Sequence, residues 1–312
     1  MQSKFKYKRY MDIDYQNITI DELQNELFTT KQVTLAVLRL DKIDPILSGN
    51  KLFKLHYFLQ QAKEQNKNTI VTFGGAYSNH LAATAYACKL NKLQAIGIIR
   101  GEKPTTLSHT LQHCVKNNMQ LQFISRAEYD KKETSQFLAT VQNQYENTLV
   151  IPEGGFGSLG SKGAGLIMDV FNVHNYTHIC LAVGTATTLS GIIQNATKSQ
   201  QIIAIPVLKG MTDLEKRMNT LIHQKYSPTQ LTTWSEYHFG GYAKKTTALF
   251  NFMNECWVKY KLPLDFVYTA KAFYGIIDKI GNDFFPPSSN ILFIHTGGLQ
   301  GNLSLPANTL LF

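Results

Sequence analysis

From residue 33 to residue 207, short apolar runs alternate with longer stretches in which apolar positions recur at helical spacing. The runs at 33–40, 68–73, 93–99, 119–124, 148–151, 177–183 and 201–207 are rich in leucine and β-branched residues and predict strands. Their nearly unbroken hydrophobicity is that of strands covered on both faces, as parallel sheets are. Helices are expected at 81–90, 105–117, 132–145 and 188–195, and another beyond the glycine-rich stretch 153–165. A helix is also expected to start at Lys51, where Leu52, Leu55, Leu59 and Ala62 would form its buried stripe. Asn50 is the expected N-cap of that helix. A last strand, 291–295, ends in Gly297 and Gly298. The alternation predicts an α/β fold of two doubly wound parallel-sheet domains. The stretch after Ile151 is the expected crossing, giving a small domain at 52–160 and a discontinuous large domain at 1–51 and 161–312.

Composition narrows the class. The 312 residues suffice for two cores, and 44% hydrophobic with 17% charged residues is globular. Lys and Arg number 31 against 22 Asp and Glu, a formal charge of +9. Part of the excess lies in Lys4, Lys6, Lys8 and Arg9, interleaved with Phe5, Tyr7 and Tyr10. Such an arm suits a solvated terminus better than nucleic acid or an anionic membrane, and the remaining excess suits anionic small molecules. Cys88, Cys114, Cys180 and Cys256 form no C-x-x-C pair and read as buried, reduced thiols. With no N-terminal apolar segment and no run that spans a bilayer, a cytoplasmic protein is expected.

The candidate chemistry begins at Lys51 and Lys54, on one face of the helix entrance. Two ammonium groups at the positive end of a helix call for an anion, and a desolvated lysine becomes a usable amine nucleophile. One lysine on an aldehyde and another near a phosphate is the pattern of a pyridoxal-phosphate site; two solvated helix lysines are the plainer reading. Gly74-Gly75-Ala76-Tyr77-Ser78-Asn79-His80 joins a strand to a helix, where free amides hold a carboxylate or a phenolate-like oxygen. A capped turn at Ser78 is the structural alternative. The loop from Gly184 through Thr185, Ala186, Thr187 and Thr188 to Gly191 combines small residues and hydroxyls as a phosphate requires, though it is neither a P-loop nor G-x-G-x-x-G. Tyr242, after Gly240-Gly241, and Tyr268 offer phenols beside turns, and Thr296 offers a hydroxyl at a strand end.

Taken in order, these segments resemble the pyridoxal-phosphate family of D-cysteine desulfhydrase and 1-aminocyclopropane-1-carboxylate deaminase. The resemblance runs from about residue 38 to 298 and rests on Gly49 to Leu55, Gly75 to His80, Gly184 to Gly191, Gly241-Tyr242, Val267 to Lys271 and His295 to Gly298. It implies the tryptophan-synthase-β type of fold, with the cofactor between the domains. It implies Lys51 as the Schiff-base lysine and Asn79 beside the ring oxygen. Lys54 and the loop from Gly184 to Thr188 would hold the phosphate, with Thr296 also at the cofactor. Ser78, Tyr242 and Tyr268 would line the substrate side, and a substrate carboxylate would sit on Ser78, Asn79 and His80.

Two positions bear on the activity. The deaminase is expected to carry Glu after the Tyr of the Val-Tyr segment and Leu between His and Gly-Gly; this chain has Thr269 and Thr296 there. A neutral hydroxyl strengthens the electron sink less than a carboxylate, which favours β-elimination from a thiol. The expectation is a lyase that turns D-cysteine into pyruvate, ammonia and sulfide, the last step hydrolytic, with Lys51, Ser78, Tyr242 or Tyr268 moving the α-proton. Ring opening of the cyclopropane amino acid, or a non-catalytic regulatory protein of the same fold, are the alternatives. The chain departs from the family pattern at Ala82, Phe266, Ala270 and in its glycine-poor phosphate loop, which bears on the substrate. The resemblance also implies a homodimer.

Overall fold

A computed structural model describes residues 15–44, 49–222 and 226–312; the basic arm and Ser48 lie outside the described residues. The strands are β1 (Ile20–Leu23), β2 (Thr34–Arg39), β3 (Thr69–Gly74), β4 (Gln94–Arg100), β5 (Met119–Ile124), β6 (Thr148–Ile151), β7 (His178–Val183), β8 (Gln201–Pro206), β9 (Leu231–Thr233) and β10 (Asn290–His295). The helices are α1 (Glu26–Thr30), α2 (Asn50–Glu64), α3 (Asn79–Leu90), α4 (His109–Lys116), α5 (Arg126–Tyr129), α6 (Ser135–Gln144), α7 (Ser158–Val170), α8 (Thr187–Asn195), α9 (Leu214–Leu221), α10 (Thr247–Tyr260) and α11 (Thr269–Gly281). Each strand expected from an apolar run is present.

Strands β3 to β6 form a four-stranded sheet in the order β5-β4-β3-β6, all parallel. The six-stranded sheet has the order β1-β2-β10-β7-β8-β9. It is parallel except at one edge, where β1 runs antiparallel to β2. The two expected parallel sheets are present, with one antiparallel strand added at an edge. Strand β1 carries Asp21 and Glu22 and buries only Leu23, so it reads as polar; Asp21 accepts from Arg39 at 2.9 Å.

The glycine-rich stretch leads from the four-stranded to the six-stranded sheet, but the helix expected beyond it begins inside it: the chain turns at Gly154 and Gly155 and enters α7 at Ser158. Its glycines are contact surfaces. A Cβ on Gly163 would lie 2.0 Å from the Phe53 carbonyl oxygen of α2, and one on Gly191 of α8 would lie 2.3 Å from the Ser161 oxygen. Helices α2, α7 and α8 therefore meet backbone to backbone. The expected domain boundaries, 51/52 and 160/161, fall inside α2 and α7. The four cysteines are free and buried, as expected.

Candidate active site

The loops that carry the chemistry follow the carboxyl ends of strands from both sheets: β3 leads to Ser78, β7 to Gly184 and β10 to Thr296. Helix α2 joins them. Gly49, with φ of 72°, is its N-cap, and a Cβ there would stand 1.9 Å from the Thr296 carbonyl oxygen. The Asn50 amide donates to that oxygen at 3.1 Å. Asn50 is thus the first helical residue rather than the expected cap. Its side chain instead donates to Thr188 Oγ1 at 2.8 Å and accepts from Lys51 Nζ at 2.7 Å. One asparagine ties the helix entrance to the threonine loop and to the lysine.

Lys51 is half-buried as a residue, but its ammonium is desolvated, and burial pulls its pKa down to about 8 against an opposing pull from Asp265. Lys54 is buried, and burial, then the charge of Lys51, hold it well below the lysine range. Its ammonium reaches Thr185 Oγ1 at 3.5 Å. Thr185 and Thr187 pair their hydroxyls at 3.1 Å, and Ala186 takes a left-handed conformation with no side-chain cap on α8. The first amides of α8 are therefore left for a ligand. Tyr268 closes the loop from the other side, its ring 3.2 Å from where a Gly184 Cβ would be.

The expected cap at Ser78 is present: its oxygen accepts from the Leu81 amide at 3.3 Å, which leaves the hydroxyl proton free to donate. Asn79 keeps Oδ1 without a partner. The His80 side chain is buried, only 3% exposed. Thr72 donates to the Ile151 carbonyl at 2.7 Å, so its oxygen accepts from His80 Nε2 at 2.9 Å and leaves Nδ1 as a bare, buried acceptor. Burial, Lys54 and Lys51 together lower the pKa of His80 well below its usual value. The side chain lies toward Lys54, across from Gly155.

Tyr242 is 49% exposed, yet burial about its hydroxyl raises its pKa; its ring meets that of Tyr268 at 6.1 Å between centroids. Thr296 is buried at the end of β10.

Three contributors were not expected. The Gly154-Gly155 turn packs on the threonine loop and Lys54, with positions that a Cβ would bring to 2.9 Å from Thr185 and 3.4 Å from Lys54. Asp265 is fully buried and accepts from the amides of Val267, Tyr268 and Thr269 at 2.8–2.9 Å and from the Thr269 hydroxyl at 2.8 Å. Lys271, also fully buried, donates to the Gly241 carbonyl at 2.6 Å. An acidic residue inside the apolar run 262–267 is the one sequence signal that pointed to Asp265.

Paired desolvated lysines and uncapped amides beside threonine hydroxyls fit a phosphorylated aldehyde. Fold and site together define a two-lobed enzyme of the tryptophan-synthase-β type, the fold of type II pyridoxal-phosphate enzymes. The solved structure of a 1-aminocyclopropane-1-carboxylate deaminase homologue superposes with a TM-score of 0.74 at 23% identity, over 92% of this chain and 90% of that one. A putative 1-aminocyclopropane-1-carboxylate deaminase of Thermotoga maritima is 30% identical over 85% of this chain and 88% of its own length. The mitochondrial bifunctional D-cysteine desulfhydrase/1-aminocyclopropane-1-carboxylate deaminase of Arabidopsis thaliana is 29% identical over 82% and 70%. The chain belongs to the family of D-cysteine desulfhydrases and 1-aminocyclopropane-1-carboxylate deaminases, enzymes that use pyridoxal phosphate. No protein-family model matches it.

Proposed function

We propose that the protein eliminates a β-leaving group from a small D-amino acid, D-cysteine foremost, giving pyruvate, ammonia and hydrogen sulfide. The observation that carries this reading is the pair of desolvated lysines at one helix entrance, facing uncapped amides and threonine hydroxyls. The cleft lies between the small lobe, 52–160, and the large lobe, 1–51 with 161–312.

Lys51 would hold the cofactor's aldehyde carbon. The amides of 184–188, the hydroxyls of Thr185, Thr187 and Thr188, and Lys54 would hold its phosphate. Asn79 would face the ring oxygen, with Thr296 on the same wall. Pyridoxal phosphate supplies, when bound, a carbonyl that captures an amino group and a ring that takes up the electron pair left by the α-proton. The protein's part is placement and proton transfer. A substrate carboxylate would accept from the Ser78 hydroxyl and from amides at the start of α3. An amine whose pKa is about 8 is partly neutral near neutral pH, so Lys51 can take a proton at Nζ once released from the aldehyde. Tyr242 and Tyr268 would serve on the substrate side as hydroxyl donors, since burial keeps both phenols protonated.

Thr269 and Thr296 favour thiol elimination over ring opening. The names of the relatives favour the second reading, 1-aminocyclopropane-1-carboxylate deamination. We take the working form to be a cytoplasmic homodimer, on the family resemblance; no helix among the described residues is long and apolar enough to cross a membrane. The test is the visible spectrum of the purified protein, with pyruvate release assayed from D-cysteine, L-cysteine and the cyclopropane amino acid in parallel. Yellow protein and fastest turnover of D-cysteine are expected, with both lost in Lys51→Ala. Full turnover by that variant would refute the site.

A further inference from the structure

The segment that delivers Tyr242 is held in an unusual way. Phe239, Gly240, Gly241 and Ala243 have φ of 49°, 86°, 113° and 52°, so four of five consecutive residues are left-handed, two of them with side chains that disfavour it. Such a run persists only where its surroundings fix it. Local turn bonds contribute: Gly241 N donates to the His238 oxygen at 2.9 Å, and Gly240 N to His238 Nδ1 at 3.0 Å. The strongest tie comes from outside the segment. Lys271 Nζ donates to the Gly241 oxygen at 2.6 Å from a fully buried position, and among the described residues no carboxylate lies within ion-pair distance of it. An ammonium buried for one backbone carbonyl is costly unless that carbonyl matters.

Lys271 also shares its helix end with Tyr268. Positions 268 and 271 are three apart and share a face, so the start of α11 grips Tyr242 twice, by ring contact from Tyr268 and by the tether from Lys271. Asp265 caps the same helix end and is the charge that supports an ammonium there.

We propose that Lys271 is a positioning residue: its bond to the Gly241 carbonyl fixes the left-handed segment and thereby holds the Tyr242 hydroxyl at the substrate side. The proposal rests on the reading of Tyr242 as a substrate-side donor.

The test uses cofactor-loaded protein and four forms: wild type, Lys271→Met, Tyr242→Phe and the double variant. Methionine keeps the buried volume and removes the donor. Lys271→Met is expected to lower kcat/KM about tenfold, as loss of one hydrogen bond to a charged group does, with the visible absorbance unchanged. Amide exchange should speed up within 238–244 and stay at wild-type rates in α11. The decisive comparison is the double variant, which should be no slower than Tyr242→Phe alone, since the tether acts only through that phenol. Multiplied losses, or unchanged exchange in 238–244, would overturn the proposal. If Tyr242→Phe is itself fully active, the reading of Tyr242 fails, while altered exchange would still assign the tether. Lys271→Gln, which keeps a shorter donor, covers a methionine variant that does not fold. Failure of both to fold would make Lys271 a prop of the core and end the positioning role.

Discussion

Lys51 and Lys54 occupy one turn of α2, and the charge of Lys51 makes that of Lys54 harder to hold. Burial is the larger cause for both, and the effect of Lys51 on Lys54 adds to it. The neutral amine is the nucleophile, and it forms as pH rises through the pKa. Capture of pyridoxal by cofactor-free protein should therefore quicken about tenfold per pH unit below 8 and level off above it. A stopped-flow absorbance series measures this; a rate still climbing tenfold per unit at pH 9.5 would mean an ordinary, solvated lysine. Gly49 supports the same pair differently. Its left-handed φ and a Cβ 1.9 Å from the Thr296 oxygen leave no room for a side chain. Gly49→Ala is expected to cost about 3 kcal/mol in urea unfolding and to displace Lys51, so that affinity for the cofactor falls as well.

At the scale of elements, the helix trio α2, α7 and α8 poses a contest between two effects of opposite sign. Alanine is worth up to ~1 kcal/mol over glycine inside a helix, yet at Gly163 its methyl would meet backbone at 2.0 Å. Backbone cannot step aside as a flexible side chain can, so packing wins, and Gly163→Ala should lose about 2–3 kcal/mol. Gly281, at the end of α11 with nothing within 4 Å of its Cβ position, is the contrast. There alanine should gain up to ~0.5 kcal/mol. Paired urea midpoints decide it, and shifts of the same sign would refute the packing account. These glycines also show what the chain hides. Glycine spacing looks the same whether it marks a linker or a close helix contact; only the partner backbone distinguishes them, and Phe53 lies far away in sequence. Strand β1 is not legible in the sequence because, as an edge strand, it buries only Leu23. Helices α10 and α11 are ambiguous in sequence because their aromatic and threonine content is shared with strands, and their burial against the large sheet selects helix. The motif residues are legible because each lies in a loop leading into a helix or in the first turns of that helix: Lys51 and Lys54 on α2, Ser78 to His80 at α3, and Gly184 to Thr188 at α8. Asp265 and Lys271 act through contacts made only on folding.

The whole molecule is layered, and the layers decide how it melts. The pleat of β2 sends Leu38 to one face of the large sheet and Val37 to the other, and β10 does the same with Leu292 and Phe293. One of those faces joins a cluster that runs without a break from Leu38, Leu181 and Leu292 through Leu55 and Ile167 to Ile70 and Ile151 of the small sheet. A chain of 312 residues exceeds the size at which single transitions are the rule. Here, however, neither lobe can open without exposing apolar surface that the other buries. Unfolding of the cofactor-free protein should therefore be one transition. Tryptophan fluorescence samples the large lobe alone, through Trp234 in the outer cluster and Trp257 on α10, whereas far-ultraviolet circular dichroism samples both lobes. The two curves should coincide in urea. Saturation with pyridoxal phosphate at a hundredfold excess over its Kd should then move both together, by about 2.7 kcal/mol, because the groups proposed to bind it include Lys51 and Asn79 as much as the threonine loop. A dichroism step with no counterpart in fluorescence would show the small lobe melting alone, and the shared core would then be too weak to couple the two walls of the site.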